Sequence, residues 1–385
     1  MEKRVIIVDF SHQVYAHFFG NRGNQSIRVV VDGQVVEKNT AVQSGCIKSI
    51  HRWTKGGSYP TAICFDRPVP SRKAFWQSVF PEMSMGSGKE YKGNRESMPD
   101  AMYEAVNDCE NILRSAGVPC FGLKNYEADD IIFACVQRAK EKYPGVPIDV
   151  ITNDADLLPL VDDTVSVFLR SKKSTWAETK ELEKAHYVQV TPDNYRSVVE
   201  DLSAYRGFLI PYNSLLLHKL LRGDSSDNFQ RKEISRYFPK SKYNAMIAQA
   251  LEDGVNFEEI FRYGKPIYEI YNVVTGEKFE GTKEEALASP EKPNLKQRIC
   301  NTEELDAIIW FLETYSPLDE SQIEVVANVY RGMNLNQPYN NGDKLLNRKE
   351  FRIGDGIGTG VDIDTWDEVA LQTALRPLMI NLNIH

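Results

Sequence analysis

Four runs of apolar, mostly β-branched residues govern what this chain can fold into. They are 4–9 (RVIIVD), 61–66 (TAICFD), 148–152 (IDVIT) and 164–169 (TVSVFL). Continuous apolar strands of this length suit a sheet buried on both faces. Helix-period patterns lie between them at 41–54, 99–116 and 126–143. Strands alternating with helices predict an α/β fold with a mostly parallel central sheet flanked by helices. Ligands of such sheets bind beyond the carboxyl ends of the strands.

Carboxylates gather at those ends. Asp9 and Asp66 close their runs, and the third run leads directly into Asp154 and Asp156. Glu127, Asp129 and Asp130 open the helical pattern at 126–143, and Asp224 and Asp227 stand in the polar turn LRGDSSDN. Like charges crowded together stay ionised only when cations neutralise them. A hard-cation, all-oxygen site points to divalent metal and to phosphoryl chemistry on nucleic acid. Each cluster also has a plainer use. Acids in a first helical turn favour the helix dipole by roughly 0.3–1 kcal/mol, which accounts for one or two of the acids at 127–130 but not three. Glu127 and Asp130 share a helix face. Taken alone, Asp154-Ala155-Asp156 serves equally as a cap or turn, and Asp224 and Asp227 as a helix cap.

Composition excludes several alternatives. The 385 residues suit one large domain with additions or two domains, and 42% apolar residues can fill a sizeable core. No apolar run approaches the ~18 residues of a membrane helix. The six cysteines form no C-x-x-C pair and read as reduced core thiols. The six histidines are dispersed, so no zinc cluster is expected. There is no phosphate-binding G-x-x-x-x-G-K-S/T loop and no G-x-S-x-G elbow. The net charge of −8 settles little. Two divalent ions would bring it to about −4, and a local basic patch decides binding to a phosphate backbone. Residues 67–98, rich in Pro, Gly, Arg, Lys and aromatics, are too long for an ordinary connection beside a site. Beyond 230, helical patterns appear at 242–263, 302–315 and 318–333, with breaks at 286–298 and 334–345.

In order and spacing, YEADD (126–130), TNDAD (152–156) and GDSSDN (223–228) resemble the structure-specific 5′-nuclease family. That family includes flap endonucleases, the 5′-nuclease domain of bacterial DNA polymerase I and bacteriophage 5′-exonucleases. Val8-Asp9 and Phe65-Asp66 complete its acidic set, and Tyr91-Lys92-Gly93-Asn94-Arg95 is similar to its arch segment. The resemblance covers about residues 4–228. It implies a PIN-like 5′-nuclease catalytic domain over 1–229 with an arch insertion at about 67–100. A mainly helical C-terminal region, 230–385, would follow.

The resemblance also implies roles. Asp66, Glu127 and Asp129 match acids that hold one ion, with Asp9 helping through water. Asp154, Asp156, Asp224 and Asp227 match those around a second ion, and Asp130, counted with them among the expected metal-holding acids, lies between the groups. Two Mg²⁺ or Mn²⁺ ions are the expected cofactors. Lys92, Arg95 and Asp130 are the expected catalytic side chains. Tyr91 would stack on a terminal base, and Lys92, Arg95, Arg72 and Lys73 would contact phosphates, with Arg67 a further candidate. The implied reaction is metal-dependent hydrolysis of DNA from 5′ ends or flaps, as in removal of RNA primers. An RNA-directed nuclease with the same metal site and a non-catalytic replisome scaffold are the rival readings. The C-terminal region is expected to meet replication proteins. The opening MEKRVIIVDF carries no signal-peptide pattern, so a cytoplasmic location is expected, in the host if phage-encoded. One departure stands out. The family's glycine-rich hairpin after S-D-N is replaced here by FQRKEISR, so a degenerate helix-three-turn-helix is expected. The run GDGIGTG at 354–360 is expected to form a loop.

Overall fold

A computed structural model describes residues 3–20, 26–31, 34–83, 89–93, 97–124, 126–170, 187–224, 227, 232–258, 266–272, 274–275, 279, 285, 288–290, 292–301, 304–333, 339–341, 344–346, 361–376 and 382. The chain divides into two compact units. The first is Met1–Val199 with Ser225–Phe229 and Arg331–His385; the second is Glu200–Asp224 with Gln230–Tyr330.

The first unit is built on a six-stranded sheet. Its strands are β1 (Val5–Asp9), β4 (Thr61–Cys64), β5 (Cys120–Phe121), β6 (Ile148–Thr152), β7 (Val165–Arg170) and β8 (Tyr187–Val190). They lie in the order β5-β4-β1-β6-β7-β8, all parallel except the β7–β8 pair. Every residue of β1, β4 and β6 is buried, as continuous apolar runs require. The four strands expected from the sequence are all present. The short β5 and the antiparallel β8 were not expected, because neither carries a run long enough to stand out.

Register puts the acids on one edge. Asp9 pairs with Cys64 and Val8 with Ile151, so β1, β4 and β6 finish nearly level. Asp9, Asp66 and Asp154 leave the sheet from that edge, as the strand-end rule anticipates. Helices α1 (Phe10–Gly20), α2 (Ala41–Trp53) and α4 (Asp100–Ser115) bury a core with Ile6, Val8, Ile63 and Ile151. Helix α5 (Ala128–Lys142) packs against β1, β4 and β6. An antiparallel pair, β2 (Ser26–Val31) with β3 (Gln34–Asn39), links α1 to α2.

The expected arch segment begins with α3 (Pro70–Val79), opened by a proline whose missing N–H costs nothing there. Trp76 is 1% exposed and lies between the rings of Phe80 and Tyr91, at 6.0 and 5.9 Å. This aromatic stack folds Tyr91 back onto α3.

The chain's last part returns to the first unit. Asp364 bridges Thr61 in antiparallel fashion, and Arg138 donates to both Asp362 oxygens at 3.0 and 2.7 Å. Trp366, Leu371, Leu375 and Leu382 join the core beside Ile50, Trp53 and Tyr59. The first unit is thus discontinuous in sequence, and these apolar side chains find their burial beside α2 and α4.

The second unit holds helices Leu215–Arg222, Lys232–Ser235, Lys240–Glu252 and Glu304–Tyr315, and most of Glu320–Met333. The expectation of a break at 286–298 is corrected at its end. Leu295–Asn301 is a strand paired antiparallel with Pro266–Asn272, a pairing set by distant sequence. Residues 228–231 and the run at 354–360 lie outside the described residues. Among the described residues no helix is long and apolar enough to cross a membrane.

Candidate metal centre

Asp9 ends β1 and is 7% exposed. Thr152 Oγ1 donates to it at 2.8 Å and the His12 amide at 3.3 Å. Burial pushes the Asp9 carboxyl up to about 7, and the nearby charges of Asp66 and Asp154 push the same way. Asp66 is exposed and accepts from Ser11 Oγ at 2.6 Å and from the Ala128 amide at 2.8 Å. That second bond fastens the first turn of α5 to the end of β4.

Glu127 and Asp130 form a capping box at the start of α5. Asp130 accepts from the Glu127 amide at 2.9 Å. Asp129 lies between them. Withdrawal from water raises its carboxyl well above the usual range, and the charges of Asp154, Glu127 and Asp66 add to the effect while Lys92 opposes it. Asp154 caps the turn Ala155–Leu160 by accepting from the Asp156 amide at 2.8 Å, and its own amide donates to Thr152 Oγ1 at 3.0 Å. A carboxylate oxygen of Asp156 and one of Asp227 lie within 4.8 Å of each other. The first unit therefore brings together Asp9, Asp66, Glu127, Asp129 and Asp154 as mutually interacting charges, with Asp156 beside Asp227. Asp224 belongs to the second unit, where Lys219 Nζ holds its carboxylate at 2.6 Å.

The basic and aromatic residues depart further from expectation. Tyr91 was expected to offer a ring to a base. It is 7% exposed, its ring packs on Trp76, and its hydroxyl lies 3.3 Å from Glu127 and 3.2 Å from Asp227. Arg72 was expected on a phosphate. It is 4% exposed and its guanidinium is turned onto Glu127 and Asp130. Both are drawn inward by the same cause: a concentration of buried carboxylates attracts the donors within reach. Arg67 likewise faces Glu110, at 2.5 and 2.7 Å. Lys73 is exposed. Lys92 Nζ lies 2.8 Å from Glu127 and 4.0 Å from Asp227, and its amide donates to the Asp227 carbonyl at 3.0 Å. Arg95 lies outside the described residues.

Sequence reasoning missed Thr152 and Ser11, whose hydroxyls hold Asp9 and Asp66. Their signal was position alone: each stands within two or three residues of a strand-end acid. The donor set is carboxylate oxygen throughout, with cationic donors at its rim. That chemistry fits divalent cations that accept oxygen ligands.

Residues 4–188 match the family model described as 5′-3′ exonuclease, N-terminal resolvase-like domain. A 5′-3′ exonuclease of Buchnera aphidicola (subsp. Schizaphis graminum) is 28% identical over 183 residues, which is 48% of this chain and 57% of that protein. The DNA polymerase I of Lactococcus lactis is 31% identical over 140 residues, 36% of this chain and 14% of that one. The chain thus spans little more than half of the first relative and a small part of the second. A bacteriophage T5 5′-exonuclease with bound zinc aligns over 85% of this chain and 98% of its own, at 15% identity and a TM-score of 0.44. Over residues 4–188, just under half of the chain, the sequence is thus similar to the N-terminal resolvase-like domain of 5′-3′ exonucleases.

Proposed function

We propose that the protein is a divalent-metal-dependent 5′-nuclease that hydrolyses phosphodiester bonds of DNA at 5′ ends or flaps. The observation that carries this reading is the convergence of Asp9, Asp66, Asp129 and Asp154 at the carboxyl edge of a parallel sheet, within a matched 5′-3′ exonuclease domain. Asp66, Glu127 and Asp129 would hold one Mg²⁺ or Mn²⁺, with Asp9 helping through water, and Asp154, Asp156 and Asp227 would hold a second. Bound there, such ions lower the pKa of an attacking water and offset charge on the leaving oxygen.

The chain's own groups do the rest. Thr152 and Ser11 fix the rotamers of Asp9 and Asp66. Lys92 carries its ammonium beside Glu127 and Asp227 and would exchange these carboxylates for the scissile phosphate. No side chain need act as a nucleophile. Lys73, exposed on α3, and Arg95 are the proposed contacts to the flanking strand. DNA 5′ flaps, including those that carry an RNA primer, are the proposed natural substrates, and replication proteins the proposed partners.

The test is cleavage of a 5′-flap DNA duplex and of a matched RNA flap, each with Mg²⁺ and with chelator. The DNA flap should be cut only with the metal, and Asp154→Ala should abolish cutting while leaving the circular dichroism spectrum unchanged. Turnover by Asp154→Ala at the wild-type rate, or cutting in chelator, overturns the mechanism. Cutting of RNA alone overturns the substrate.

A further inference from the structure

The cation most deeply committed to the acids stands apart from the 91–95 motif, at Arg72, the third residue of α3. It is 4% exposed. One guanidinium nitrogen donates to Glu127 Oε2, and the other lies 2.8 and 3.0 Å from the two oxygens of Asp130. Asp130 is itself 2% exposed, and its Oδ2 also accepts from the Glu127 amide at 2.9 Å. Both of its oxygens are therefore occupied by protein donors. Glu127 is held differently on its two sides. Oε2 meets Arg72 and the Tyr91 hydroxyl, Oε1 meets the Lys92 ammonium at 2.8 Å, and the side chain also accepts the Asp130 amide in the capping box.

We propose that Arg72 is a positioning residue for the ion site, with Asp130 as its counter-ion instead of an ion ligand. This rests on the proposed nuclease reading. A guanidinium is a planar fork that fixes two carboxylates at once, which a lysine cannot do. By anchoring Glu127 Oε2, Arg72 leaves Oε1 as the oxygen that can trade Lys92 for a cation. By neutralising Asp130, it removes one negative charge from a crowded site without using an ion. Groups that orient a ligand from behind typically change metal affinity about 10–100-fold when lost.

The test measures Mn²⁺ binding by titration calorimetry, with circular dichroism to confirm folding. Arg72→Met alone would leave Asp130 buried and uncompensated, so it is paired with Asp130→Leu; replacing both members of a buried ion pair with apolar groups commonly preserves the fold. The expected result is that Asp130→Asn keeps the wild-type number of Mn²⁺ equivalents. The folded Arg72→Met/Asp130→Leu variant should bind Mn²⁺ about tenfold or more weakly. Arg72→Lys, which keeps the charge and loses the fork, should show the same weakening and serves if the double variant does not fold. Loss of a Mn²⁺ equivalent in Asp130→Asn, or wild-type affinity in either folded Arg72 variant, overturns the assignment. If the wild-type chain binds no Mn²⁺, the nuclease reading itself falls, and this one with it.

Discussion

The Lys92 ammonium lies 2.8 Å from Oε1 of Glu127, on a residue whose backbone adopts φ 57°. A left-handed conformation is uncommon for a side-chain-bearing residue and tends to persist where surrounding contacts over-determine it. Here the Lys92 amide on the Asp227 carbonyl and the stacked Tyr91 supply those contacts. If Lys92 aids the reaction by offsetting charge on the phosphate, Lys92→Ala should lower kcat about a hundredfold or more, with a smaller change in KM. Single-turnover cleavage at saturating Mg²⁺ checks this. An unchanged kcat would leave Lys92 as a structural counter-ion of Glu127.

The C-terminal segment should stabilise the first unit. Trp366 and Leu371 are buried in the first unit's core, and His51 meets Glu368 at 2.7 Å. Leu371→Ala should cost about 2–5 kcal/mol, the usual range for a buried leucine. Urea unfolding reads the loss, and Mn²⁺ affinity of the remaining folded protein should stay the same.

Gly57 tests the same contact from the other side. It adopts φ 86°, and an added Cβ would collide with the Trp366 carbonyl oxygen and ring. Gly57→Ala is therefore expected to lower the unfolding midpoint, whereas Gly117→Ala, with open space around it and φ 74°, should pay only the cost of backbone strain. Thermal melts of the two variants make the comparison.

Acid sensitivity of the second unit should trace partly to His218. It is 5% exposed, its ring is edge-packed on Tyr205, Phe208 and Tyr243, and burial pulls its pKa from 6.5 down to about 3. The unfolded chain then binds a proton that the folded one does not between pH 6.5 and about 3. Its contribution is present above pH 6.5 and is lost as pH falls through that window. His218→Phe, which keeps an aromatic ring in place, should flatten the fall of the unfolding midpoint between pH 6.5 and 4. A fall as steep as that of the wild type would assign the acid lability elsewhere.

What could be read from the chain beforehand was whatever has a short period. The strands at β1, β4, β6 and β7 announce themselves because they are largely buried on both faces and mostly apolar. Helix α5 does so through its acidic first turn and the apolar residues that follow. The pairing of Pro266–Asn272 with Leu295–Asn301 and the short β5 were not legible, since a strand defined by a distant partner need carry no local pattern.

The sequence by itself determined four of the sheet's strands, their mostly parallel character and the placing of carboxylates at strand ends, because these follow from side-chain polarity along a strand. Only the tertiary structure decided which donors those carboxylates would take. Arg72, Tyr91 and Lys92 are separated from Glu127 by 55, 36 and 35 residues, and in the sequence they look like solvent-facing or ligand-facing groups. A buried negative charge is costly until a donor reaches it, and which donor can do so depends on how α3 and the turn at 91–93 fold back. The same holds for the tail: Trp366 and Leu371 become core residues only because α2 and α4 leave apolar surface for them to cover.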